Sequence, residues 1–149
     1  MITKSIRFTL IILIYAFTVT AQDPAIVRSI AGSDLTFEDK RDSLSHFFTN
    51  LPDSIDQAKL AECYHDYALR WFYKIVRKKD IAGLDSAIAY FEKAIVLRRN
   101  LSPPDFASLK KSLYNQGVCY RKKGAHEKRL KVLVEIASIQ EIDNRTLGA

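Results

Sequence analysis

The chain has 149 residues, 48% of them apolar and 27% charged, with a formal net charge of +6. That length fits one domain, and the composition excludes a disordered, low-complexity or collagen-like chain. Five glycines and four prolines are too few for a turn-rich all-β fold, and two cysteines are too few for a small disulfide scaffold.

At the N-terminus, Lys4 and Arg7 form a positive region ahead of an uncharged apolar run, FTLIILIYAFTV, at residues 8–19. Val19 and Ala21 supply the small residues of a cleavage site, so residues 1–21 read as a signal peptide and Gln22 as the mature N-terminus. The run is shorter than the ~20 apolar residues of a membrane span, and no cysteine follows it to carry a lipid. Export is expected, to the periplasm, the cell surface or the medium, with no membrane span after cleavage. Losing Lys4 and Arg7 leaves about +4. Acids outnumber bases from Asp23 to Asp66, whereas residues 110–131 hold eight Lys and Arg against Glu127 alone. Such asymmetry steers an acidic partner or marks a solvated helix face.

Residues 22–35 lack periodicity and are expected to form an extended leader. Asp34 or Thr36 suits the cap of a helix within 36–51, with Leu44, Phe47, Phe48 and Leu51 on one side; Pro52 ends it. Asp53 and Ser54 suit the next cap. From about 55 to 79, Leu60, Tyr64, Tyr67, Ala68, Trp71, Phe72 and Ile75 follow the i, i+3, i+4 rhythm of a buried stripe, wide enough to touch helices on two sides. Gly83 breaks the pattern, and Asp85 is expected to cap a helix over 84–99, in which Ala87, Phe91 and Ala94 alternate small, large and small. Asn100-Leu-Ser-Pro-Pro ends it, and Pro104 or Asp105 suits the start of a helix running to 123. That helix carries Phe106, Leu109, Leu113, Gly117 and Tyr120, with Gly124 as its stop. The last helix, 126–140, carries Leu130, Leu133, Val134, Ile136 and Ala137. No segment alternates with period two, so the fold class is all-α.

Catalytic chemistry has few candidates. His46, His65 and His126 are far apart, and none makes an HExxH motif or a close His/Cys pair. Cys63 and His65 would point to different sides of a helix, and both Cys63 and Cys119 fall in apolar helical patterns, as buried free thiols do. No glycine-rich phosphate loop appears. The expectation is a protein that is not an enzyme, with no catalytic residue, no cofactor and no metal.

Residues 113–124, LYNQGVCYRKKG, resemble the first helix of a tetratricopeptide repeat, with Leu113 and Tyr120 at its large positions and Gly117 at its small one. "AIAYFEKAI" resembles the second helix of such a repeat, and Tyr64, Tyr67, Ala68 and Trp71 fit the first-helix pattern of the repeat before it. The resemblance implies antiparallel helical hairpins stacked as a short right-handed solenoid over 36–140: an N-terminal helix at 36–51, a first repeat at 55–99 and a second at 104–140. Small residues sit where neighbouring backbones come closest; Ala68, Ala87, Ala94 and Gly117 take those places. The pattern departs from the family in two ways. Ala68 and Gly117 are 49 residues apart against a usual period of about 34, and Arg129 stands where the second repeat needs a small residue. Residues 141–149 read as the opening of a third repeat that is cut short.

The resemblance also implies a function. First helices of this family line a concave groove that takes an extended peptide or a partner protein. Inward positions would be Glu62, His65, Asp66, Leu69, Phe72 and Tyr73 in the first repeat. In the second they would be Lys111, Tyr114, Asn115, Val118, Arg121 and Lys122, and their charge favours an acidic partner. The family's carboxylate clamp needs a Lys and an Asn where His65 and Leu69 stand, so that clamp is not expected. Alternatively, these side chains bury against a further repeat or the N-terminal helix. Exported chains with elongated repeats also resemble N-terminal regions of larger bacterial proteins, some with a caspase-like CHAT domain, which implies a regulatory fragment of a larger enzyme. Nucleic acid is not an expected partner, because export and the lack of a recognised motif argue against it.

Overall fold

The structure is a computed structural model that describes residues 27–30, 33, 37–49, 51, 55–78, 81 and 83–147. The signal segment and the proposed caps Asp34, Thr36, Asp53 and Ser54 lie outside those residues. Among the described residues the regular structure is all helix, with no strand. The longer helices among these residues are α1 (Phe37–Thr49), α2 (Gln57–Lys78), α3 (Leu84–Arg99), α4 (Phe106–Lys123) and α5 (His126–Leu147). Residues 27–30 are helical as well, so this part of the leader is not extended.

Local chemistry sets the helix ends. Asp56 accepts the Lys59 N–H at 2.9 Å and so caps α2. The N-cap of α3 is Gly83, without a side-chain bond; Asp85 lies inside the first turn, where its charge meets the positive end of the helix dipole. Asp105 caps α4 by accepting the Ser108 N–H at 3.0 Å. Gly124 stops α4 in the left-handed region, at φ 74°. Its N–H bonds to the Arg121 carbonyl, and Ala125 N–H bonds to that of Tyr120, which closes the terminus as a Schellman motif. The last helix continues through 141–147, past its expected end at 140, so those residues do not start a separate element.

From α2 onward successive helices run antiparallel, and the end of α1 lies beside the start of α2. Phe48, late in α1, stacks on Tyr64, early in α2, with ring centroids 4.6 Å apart. His65, early in α2, approaches Arg98 at the end of α3. Lys123, ending α4, pairs with Asp85 at the start of α3, and Lys110 near the start of α4 donates to Gln140 in α5 at 3.0 Å. Each of α2 to α5 packs on the next, and α2 also touches α4.

The main core lies between α2, α3, α4 and α5, around Ala68, Ala87, Phe91, Ile95, Leu113 and Val132. Phe91 is fully buried there, which is worth about 1.5–3 kcal/mol relative to exposure. Ala68, Ala87 and Ala94 have no exposed surface, and a Cβ on Gly117 would lie 3.5 Å from Val132 Cγ1. The four small residues therefore face neighbouring helices, as the alternation of sizes requires. A second cluster joins Val27 and Leu44 to Cys63 and Tyr67 on α2, with Phe48, Trp71 and Tyr90 around it.

In α5 the inward residues are Val132, Ile136 and Ile139. Leu130, Leu133 and Val134, expected as core, are instead exposed. Apolar residues stand on both faces of this helix. The bidentate bond from Arg99 to Glu135, at 2.9 and 2.8 Å, and the approach of Val132 to Gly117 accompany the observed rotation.

Candidate functional site

The expected inward positions divide into a covered part on α2 and an open part on α4. His65 is 1% exposed and belongs to the core, not to a binding surface. Its Nδ1 lies 2.7 Å from Ser112 Oγ. Arg98 Nη1 donates to Ser112 Oγ, to the Ser108 carbonyl at 2.8 Å, and approaches His65 Nδ1 at 3.4 Å. A guanidinium only donates, so Nδ1 must accept. The order of donation then runs from Arg98 to the Ser112 oxygen, and from the Ser112 hydroxyl to His65. That order places the ring proton on Nε2, which has no hydrogen-bond partner and whose ring meets Phe91 edge-on at 5.3 Å between centroids. Burial, then the charges of Arg98 and Lys111, push the His65 pKa down to about 3, so the ring stays neutral.

Glu62 and Asp66, one turn apart on α2, are held by Arg28 of the N-terminal helical turn, at 2.9 and 3.4 Å. Burial raises the Asp66 carboxyl more than Arg28 lowers it. Leu69 and Phe72 are half-buried against the main core. Tyr73 is 55% exposed.

On α4 the picture differs. Lys111, Tyr114, Arg121 and Lys122 are exposed, and Asn115 and Val118 are half-buried. Other bases nearby are tied down: Lys123 by Asp85, Lys131 by Glu127, Arg99 by Glu135. Lys111, Arg121 and Lys122 make no ion pair among the described residues. Lys111 stands close enough to α2 for its charge to act on both His65 and Asp66.

The expected repeat lays α2 on α4 at a 49-residue offset. His65 corresponds to Tyr114, Leu69 to Val118, and Phe72 to Arg121. His65 is covered by α4, whereas Tyr114 at the same register is 63% exposed.

Sequence reasoning missed Arg98, Ser112 and Gln116, all buried. Gln116 Nε2 donates to Glu92 Oε2 at 2.7 Å, linking α4 to α3. A signal for Arg98 was present, since it continues the four-three rhythm of Ala87, Phe91 and Ala94 by one more step of four. The serine–histidine contact is the pairing from which nucleophiles are built, yet Ser112 has no exposed surface. Cys63 and Cys119 are free and buried, and burial pushes the Cys119 thiol up to about 12, far from a reactive thiolate. Among the described residues no three His, Cys, Asp or Glu side chains converge as metal ligands, and no helix is long and apolar enough to cross a membrane. Comparison of the chain with protein-family models, with curated proteins and with solved structures returned no match.

Proposed function

We propose that the protein is an exported docking module built as a short right-handed solenoid of tetratricopeptide-like hairpins, which binds an acidic, extended peptide along α4 and performs no chemistry itself. Supporting the repeat reading, α2–α3 and α4–α5 are antiparallel pairs, α2 touches α4, and the small residues lie at helix contacts. Residues 27–30 with α1 stand where a preceding hairpin would, because Val27 packs on both Leu44 and α2.

The observation that carries the binding proposal is the set of unpaired bases on α4. Lys111, Arg121 and Lys122 share one side of α4 with the exposed ring of Tyr114 and the amide of Asn115. Such a strip suits a carboxylate-bearing chain: tyrosine contributes contact area at low entropic cost, and the bases set its orientation. Arg28 offsets one of the two acidic charges on α2, Glu62 and Asp66, and so lessens their repulsion of such a ligand.

The test is selection of displayed random peptides on the purified protein and on Arg121→Glu plus Lys122→Glu. Acidic sequences enriched on the first and lost on the second support the site. Equal enrichment on both, or none on either, overturns it.

A further inference from the structure

The outer face of α5 carries a second apolar surface that the fold leaves open. Leu130 is 61% exposed, Leu133 42% and Val134 59%, with Ala137 exposed beside them. They stand three or four residues apart, so they form one stripe, opposite the Val132 and Ile139 side. Scattered surface leucines need no explanation, but a contiguous stripe does.

The repeat register tells what such a stripe receives; here the inference rests on the repeat reading above, not on the groove. Laid on α3 so that Ala87 falls on Arg129, Leu130 takes the place of Ile88, Leu133 that of Phe91, and Val134 that of Glu92. In α3 this side faces α4: Glu92 accepts from Gln116 of α4, and Phe91 and Ile88 pack in the core that α4 shares. The equivalent side of α5 is therefore shaped to take one more helix lying antiparallel to it.

Charge identifies that helix. The first turns of α5 hold Lys128, Arg129 and Lys131 against Glu127, whereas the rest of the helix, to Leu147, holds Glu135, Glu141 and Asp143 against Arg145. A helix with a basic first part and an acidic later part is complementary to an antiparallel copy of itself. We propose that α5 pairs antiparallel with α5 of a second copy of this chain, as an isologous dimer. With the two-fold axis on the outer side of α5, level with residues 135 and 136, Val134 meets Ala137 of the other copy, Leu130 lies beside Glu141, and Lys131 comes within reach of that carboxylate. A contact centred on one helix is at the small end of the range for specific interfaces, so dimerisation is expected at micromolar concentrations.

Sedimentation equilibrium of the purified protein across the micromolar range tests this. A monomer–dimer equilibrium is expected, abolished by Val134→Glu with the circular dichroism unchanged, because that side chain is exposed. Lys131→Glu and Glu141→Lys should each weaken the dimer at least several-fold, and the two together should restore it. A monomer at every concentration overturns the proposal. A dimer indifferent to Val134→Glu places the interface elsewhere. A dimer lost in Val134→Glu but not restored by the charge swap overturns the antiparallel pairing. Peptide selection does not depend on Val134, so failure of the dimer and failure of the groove are separately visible.

Discussion

His65 Nδ1 and Ser112 Oγ lie 2.7 Å apart in the core, so a single side-chain bond ties α2 to α4 across the helix that separates them in sequence. Arg98 of that intervening helix donates into the same pair. Three helices thus meet in one buried polar cluster, whose geometry is coupled to the protonation of one ring.

This coupling makes stability pH-dependent in a defined direction. The ordinary pKa of a histidine is 6.5, and that of His65 in the fold is about 3. Between these values the unfolded chain binds a proton that the folded chain refuses. The contribution is therefore complete above 6.5 and is lost as pH falls from about 6.5 towards about 3, by about 1.4 kcal/mol per pH unit. Urea unfolding at about pH 7.5 and about pH 5 should differ by about 2 kcal/mol. His65→Asn, which keeps an acceptor for Ser112, should flatten that slope. Equal midpoints for the parent at the two pH values would show that His65 is not held neutral.

Within the cluster, removing the serine should cost more than removing the arginine. Ser112→Ala deprives both the His65 nitrogen and an Arg98 N–H of a partner in a buried site, at about 1–3 kcal/mol. Arg98→Met withdraws a buried cation, which offsets much of its lost bonding. A double-mutant cycle should show coupling of about 1 kcal/mol between the two. The reverse order of costs would mean that the guanidinium holds the cluster together.

Where helices come close, the sequence was legible because size is a strong signal. The rhythm of Ala87, Phe91 and Ala94 located the α3 seam, and continuing it would have located Arg98. Helix existence was legible for the same reason of periodicity, and so were the Asp105 start and the Gly124 stop of α4. Asp56, which bonds the first turn of α2, was not singled out, because it is one of several residues of near-equivalent cap type there. On α5 only Ile136 of the expected residues faces the core; the rotation was illegible because Val132 and Ile139 compete with Leu130, Leu133 and Val134 at the same period. The turn at 27–30, whose Arg28 holds Glu62 and Asp66, was hidden because four residues show no periodicity.

Gly117 gives a prediction that runs against the usual view of a close helix contact. An added Cβ would meet Val132 Cγ1 at 3.5 Å, an ordinary contact. Gly117→Ala should therefore stabilise α4 by up to about 1 kcal/mol through helix propensity. Gly117→Leu should destabilise by about 1–3 kcal/mol, because the extra carbons must displace Val132. Loss of stability in the alanine variant would mean that α4 and α5 approach more closely than described.

Gly124 is the opposite case. Nothing lies within 4 Å of its would-be Cβ, but its φ is 74°. Gly124→Ala should cost about 1–2 kcal/mol by backbone strain alone, with no change in packing. Gly124→Asn should recover part of it, since asparagine tolerates the left-handed region. Thermal melts of the three proteins decide this; alanine and asparagine equal to glycine would exclude a left-handed stop.

Tyr114 and His65 occupy the same register on α4 and α2, with opposite surroundings, and so separate a structural from a binding role. His65→Ala removes a buried acceptor and opens space beside Phe91, at a cost of about 2 kcal/mol or more. Tyr114→Ala touches a ring that is 63% exposed and should change stability by no more than about 0.5 kcal/mol. If α4 carries the docking strip, the same Tyr114→Ala protein should bind selected acidic peptides at least several-fold more weakly, because contact area is lost while the bases remain. Tyr114→Phe should bind like the parent if the ring supplies area, and like the alanine variant if the hydroxyl is what the peptide recognises. A Tyr114→Ala protein that is stable and binds undiminished would remove this ring from the site, leaving Lys111, Asn115, Arg121 and Lys122 to carry it.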